Sequence, residues 1–244
     1  MDLPSKKQLV IMLSMQDLLN KTVNPNWKEA GNDWSLAVLL EASEAIDHTG
    51  WKWWKEQVPN IPQLKLEIVD IWHFIISEIM SDNSVTLEEM KYSELADLII
   101  EVVDEVYKDL EGTEDKEILT NTRAALRYLA YRAAISDSML EVFSEVMFSL
   151  KMTWSELYKI YIGKHSLNMF RQEHGYKDGS YIKDWSSYKL VNTTTTNSGV
   201  CEDNDHLHDI MLGIDEDIDD IIDVVNKELL TRYTVIKNMK MASE

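Results

Sequence analysis

LLEASEAID (residues 39–47) and LEIVDIWHF (residues 66–74) place their apolar residues three and four apart, the period of an α-helix with a buried stripe. In the first, Glu41 and Glu44 stand three apart. In the second, Glu67 and Asp70 repeat that spacing, so each helix projects a carboxylate pair from one face. The second pair is set among Ile68, Val69, Ile71, Trp72 and Phe74, an apolar setting that directs the acids inward.

Outward from these two segments the same period continues. Only 8 Gly and 4 Pro interrupt the chain, and alternating strands between turn residues are missing. The pattern predicts helices over 5–20, 34–48, 62–81, 86–109, 116–134, 137–150 and 153–173, with a further helical region over 206–238. Asn32 or Asp33 suits the cap of the second helix, Pro62 the first turn of the third, and Thr86 with Glu89 a capping box. The expected fold class is therefore all-α: a helical bundle with an additional helical region and an acidic C-terminal helical tail. One domain is expected over 1–190, with 82–150 as a candidate smaller mobile helical module inside it. A polar linker over 191–205 and a tail over 206–244 follow.

The 244 residues, 45% of them hydrophobic, are enough to bury a substantial core. A formal net charge of −19 repels a phosphate backbone and argues against nucleic-acid binding. It leaves room for a small phosphate ligand only if divalent cations stand between that ligand and the carboxylates. Cys201 is the single cysteine, so neither an intrachain disulfide nor a Cys-rich zinc site is available. No signal-like leader and no membrane-length apolar run is evident, and a soluble cytoplasmic protein is expected. The acceptor-like Asn192-Thr193-Thr194 reads as polar loop.

Buried carboxylates are costly unless paired or metal-bound, so acidic pairs on two apolar helices suggest four oxygen donors converging on hard cations, magnesium first. The alternative is a pair of solvated helix faces. A second constellation lies in YIGKHSLNMFRQEHGYKDGSYIKDW (residues 161–185), where Lys164, Asn168 and Arg171 fall on one helix face and offer an ammonium, an amide and a guanidinium. Tyr176 and Lys177 follow in a turn flanked by Gly175 and Gly179. Such a set suits a polyphosphate, and salt bridging to an acidic surface is the competing reading. Gln16 and Asn20, four apart near the N-terminus, offer two side-chain amides that are able to read a base edge or to face solvent. Trp51, Trp53 and Trp54 form either an aromatic clamp at a helix junction or a stacking wall. His73 lacks the partners of a zinc site and suits a hydrogen-bonding role.

In their order along the chain, EASEAID, WKWWK, EIVDIWHF and YIGKHSLNMFRQEHGYKDGSY resemble the dimeric, all-α dUTPases of the all-α NTP pyrophosphohydrolase superfamily. The likeness runs from the N-terminal helix to Trp51, over the third helix, and from about residue 158 to 185; residues 82–150 match only as helix. The resemblance implies magnesium-dependent hydrolysis of dUTP and dUDP to dUMP with release of pyrophosphate or phosphate, two or more Mg2+ ions, and a homodimer. It implies that Glu41, Glu44, Glu67 and Asp70 are the metal-binding and catalytic carboxylates, and that Lys164, Asn168, Arg171, Tyr176 and Lys177 contact phosphates. Gln16, Asn20, Trp51, His73 and Phe74 then contact uracil and deoxyribose. The expected reaction is in-line attack of a metal-bound water on a phosphorus, with Glu44 as the candidate to orient or deprotonate that water. A pyrophosphohydrolase acting on dCTP or a broader set of nucleotides, and an acidic helical interaction protein without catalysis, stand as alternatives.

Overall fold

The structure, a computed structural model, describes residues 2–81, 91–112, 118–192, 201–214 and 218–243. Among these residues it has nine α-helices and no strand: α1 (Lys6–Val23), α2 (Trp34–His48), α3 (Ile61–Ser81), α4 (Tyr92–Leu110), α5 (Ile118–Ala134), α6 (Leu140–Leu150), α7 (Trp154–Glu173), α8 (Asp203–Leu212) and α9 (Ile218–Ser243). The all-α class is as expected. Asp33 caps α2 by accepting from the Leu36 amide at 2.9 Å, and Pro62 sits in the first turn of α3. The capping box expected at Thr86 and Glu89 lies outside the described residues. Instead Glu94 caps the start of α4, accepting from the Lys91 amide at 2.7 Å. The helical region expected over 206–238 is two helices, the first ending at Gly213. Residues 203–205 form the first turn of α8, while 193–200 of the expected linker lie outside the described residues.

The chain divides into two compact units, Met1–Tyr158 and Lys159–Glu244. In the first, α2 and α3 pack antiparallel. Their register is marked at one end by Trp34 Nε1 donating to Ser81 Oγ and Ser35 Oγ donating to Glu78, and at the other by His48 Nε2 3.4 Å from Glu67. Ala42 and Ala45 are fully buried on α2, respectively two turns after Ser35 and one turn after Glu41 and so on the face that meets α3, where small side chains permit a close approach. Trp72 stacks on Phe143 at 5.1 Å and meets Trp154 edge-on at 5.3 Å, so the apolar stripe of α3 is covered by α6 and the start of α7. α1 lies antiparallel to α4, tied by Lys6–Asp97 at one end and by the Tyr92 hydroxyl donating to Asp17 at the other.

The second unit joins the rest of α7 to α8 and α9 around Tyr161, Phe170, Trp185, Leu207 and Leu229, all buried. Gly163 permits the close approach of α7 and α8: a Cβ there would stand 2.7 Å from Met211 Sδ. Two buried ion pairs, Arg171–Asp203 and Arg232–Asp209, lie inside this unit, so part of the acidic character of the tail is neutralised internally. Cys201 is buried, and burial, followed by the charges of Asp205, Asp209 and Asp184, pushes its thiol up to about 11, too high for a nucleophile near neutrality. No helix among the described residues is long and apolar enough to cross a membrane.

Candidate active site

Close packing of α2 on α3 brings Glu41 to Glu67 and Asp70, so that one carboxylate oxygen from each lies within 4.8 Å of the others. Glu67 is buried, Glu41 and Asp70 half-buried. Burial, followed by the charges of Asp70, Glu67 and Glu44 and a hydrogen bond with Glu67, pushes the Glu41 carboxyl up to about 8. Near neutrality such a cluster retains a proton unless a cation takes its place. The donor set is all hard oxygen, which fits magnesium. Glu44 stands on the same helix face, exposed, and is felt by Glu41 through its charge without being one of the three converging groups.

Gln16 and Asn20 are buried on α1 against Ser77 of α3. Ser77 donates its hydroxyl proton to the His73 carbonyl at 2.7 Å, so its oxygen is left to accept. Both amides must then turn their NH2 toward it: Gln16 Nε2 donates to Ser77 Oγ and to Asn20 Oδ1, both at 3.0 Å, and Asn20 Nδ2 donates to Ser77 Oγ at 2.9 Å. The sequence reading missed Ser77, although its place four residues after His73 on an apolar helix was a visible signal. His73 is buried with Nδ1 2.7 Å from the Val69 carbonyl, and Phe74, half-buried, packs 6.3 Å from Trp34. Trp51 is 40% exposed, and Trp54 meets both Trp51 and Trp53 edge-on at 5.2 and 5.6 Å, an arrangement stabilised by ring quadrupoles.

In the second unit the sequence places Lys164, Asn168 and Arg171 on one face of α7, and Arg171 Nη1 accordingly donates to Asn168 Oδ1 at 3.1 Å. The Arg171 guanidinium lies 5.6 Å from the centre of the Tyr176 ring, a cation–π contact. Gly175 makes the turn possible, with φ +90° and a position where a Cβ would collide with Ser180 Oγ. Lys177 is exposed. Lys164 and Arg171 are not surface charges: they are 1% and 8% exposed, held by Asn204 and Asp203 of α8, which sequence reasoning had assigned to a linker. A carboxylate 32 residues along the chain gave no local signal of that pairing.

No curated relative matches the chain. A family model described as dUTPase matches residues 8–176, from within α1 to the turn that follows α7. That span takes in well over half of the chain, including both carboxylate-bearing helices and the Lys164 to Tyr176 segment, and it agrees with the strandless helical architecture among the described residues. The chain belongs to the all-α dUTPase family, the dUTP diphosphatases.

Proposed function

We propose that the protein hydrolyses dUTP and dUDP in a magnesium-dependent reaction, and that it does so as a homodimer. The observation that carries the metal dependence is the convergence of Glu41, Glu67 and Asp70 around a carboxyl that burial and like charge hold partly protonated. Magnesium bound there supplies charge neutralisation at the phosphates and lowers the pKa of water. Glu41, Glu67 and Asp70 would hold the ion, and Glu44, exposed beside them, orients the attacking water or takes its proton. Arg171, Lys164 and Asn168 take phosphate oxygens as guanidinium, point charge and neutral donor, with Tyr176 and Lys177 adding contacts from the turn.

Base selection follows from the Ser77 arrangement. Any contact of Gln16 with a base is then through its carbonyl oxygen and not its NH2, and any contact of Asn20 is through an N–H, its Oδ1 accepting from Gln16. An acceptor beside a donor complements the N3–H and carbonyl of uracil. Cytosine offers an acceptor at N3 and would set two acceptors against each other, at a cost of roughly 1–3 kcal/mol. dUTP is thereby favoured over dCTP.

The test is a panel of dUTP, dUDP, dCTP and dTTP, assayed for pyrophosphate or phosphate with magnesium and with chelator, on wild type and on Glu41→Gln. We expect turnover of dUTP and dUDP, its loss on chelation, and a loss of at least ~100-fold in the variant with its fold retained. Chelator-resistant turnover, or full activity in Glu41→Gln, would remove the metal assignment.

A further inference from the structure

Asp203 opens α8, beyond the reach of the family match, and is completely buried. Its Oδ2 accepts from Arg171 Nε and its Oδ1 from Arg171 Nη2, each at 2.8 Å, so the carboxylate grips one edge of the guanidinium in a two-point contact. The Tyr181 hydroxyl donates to Oδ2 at 2.9 Å and braces the carboxylate from the other side. Burial by itself would raise the acid's pKa; the hydrogen bonds and charge of Arg171, the Tyr181 hydroxyl and the charge of Lys164 outweigh it and hold Asp203 below the usual carboxylate range. Next along the helix, Asn204 Oδ1 accepts from Lys164 Nζ at 2.8 Å and from Arg171 Nη2 at 3.2 Å. One turn of α8 therefore fixes the ends of two long side chains that are otherwise free to explore many rotamers.

The geometry of the grip is specific. It engages the Nε–Nη2 edge of Arg171 and turns the Nη1 end toward Asn168, another phosphate-binding residue proposed on that face. A guanidinium aimed in advance loses less freedom when it meets a phosphate, and a misplacement of about 1 Å is enough to cost on the order of a hundredfold in rate. We infer that Asp203 is a positioning residue for the hydrolysis, acting through Arg171 and braced by Tyr181, so that α8 is part of the working enzyme and not an appendage. The inference rests on the proposed assignment of Arg171 to the phosphates.

A double-mutant cycle on the full chain tests it, with Asp203→Asn, Arg171→Ala and both together. The readouts are kcat and KM for dUTP, the inhibition constant of deoxyuridine, which lacks phosphate, and thermal unfolding. Asp203→Asn is expected to lower kcat/KM by ~10- to 100-fold, to leave the deoxyuridine constant within about twofold, and to add nothing in the Arg171→Ala background. Because Asp203→Asn leaves a buried guanidinium without its counter-charge and is able to unfold the protein, Tyr181→Phe serves as a second variant. It is expected to lower kcat/KM by about two- to tenfold, and again only when Arg171 is present. Additive losses, a parallel loss of deoxyuridine binding, an unchanged rate, or a faster enzyme, as would follow if Asp203 competed with phosphate, each overturn the positioning role. Wild-type kcat/KM in Arg171→Ala alone overturns the phosphate assignment beneath it, a separate and recognisable failure.

Discussion

At the scale of single residues, the proposed choice of base turns on a single hydroxyl of α3. Ser77 gives its proton to the His73 carbonyl and so dictates which way Gln16 and Asn20 face. Ser77→Ala removes that dictation while leaving both amides in place. We expect the preference for dUTP over dCTP, read as a ratio of kcat/KM values, to fall by about tenfold or more, corresponding to the ~1–3 kcal/mol of an unpaired buried group. An unchanged ratio would show that the amides do not read the base through this lock. The residues that were legible in sequence share one property: their partners lie within a turn or two of the same helix. Glu67 with Asp70 and Asn168 with Arg171 are of that kind. Ser77 was half-legible, because its spacing from His73 is local but its pairing with α1 is not. Asp203 was illegible, since its contact with Arg171 bridges 32 residues and depends on how α8 returns to α7.

Among the elements, the helix pair α2 and α3 sets the geometry of the carboxylates. Periodicity alone located both helices, because an amphipathic or buried stripe is written into the order of residues. What periodicity does not contain is the distance between them. That distance depends on Ala42 and Ala45, fully buried where α2 faces its neighbours, and small side chains there keep Glu41 within reach of Glu67 and Asp70. Ala42→Leu adds volume to a packed site, at a cost of about 1–3 kcal/mol in stability. Displacing α2 should also separate the carboxylates, so the magnesium concentration giving half-maximal activity is expected to rise severalfold. The measurement is a magnesium titration of dUTP turnover at a temperature where the variant remains folded. A destabilised variant with an unchanged magnesium requirement would mean that helix spacing does not govern the cluster. The break between α8 and α9 was likewise beyond periodicity, since one apolar pattern runs through both helices and Gly213 alone marks the turn.

Across the molecule, the burial of charge differs in character between the two units, and acid reveals the difference. In the first, like charges crowd around Glu41. The second holds paired opposite charges, with a neutral histidine among them. His206 is completely buried and its Nε2 lies 3.2 Å from the Trp185 carbonyl, while Arg232 Nη1 approaches Nδ1 at 3.1 Å. A cationic donor at Nδ1 requires that nitrogen to accept, so the proton belongs on Nε2 and the ring is neutral. Burial first and the Arg232 charge second push its pKa down to about 4; the Trp185 carbonyl and the carboxylates of Asp209 and Asp203 pull the other way without prevailing. Tyr188, edge-on to the ring at 5.8 Å, adds no charge. Unfolding exposes His206 and restores a pKa near 6.5, so below that pH the unfolded chain binds more protons than the folded one. This contribution to stability is thus complete above pH ~6.5 and is lost as the pH falls toward about 4, by which point the loss is on the order of 3 kcal/mol. Hydrogen exchange of the α8 and α9 amides, followed from pH 7 to pH 4.5 and corrected for intrinsic rates, should show protection falling across that interval. In His206→Gln, whose side chain does not titrate, that fall should be largely absent; an equal fall in the variant would assign the acid sensitivity to other groups.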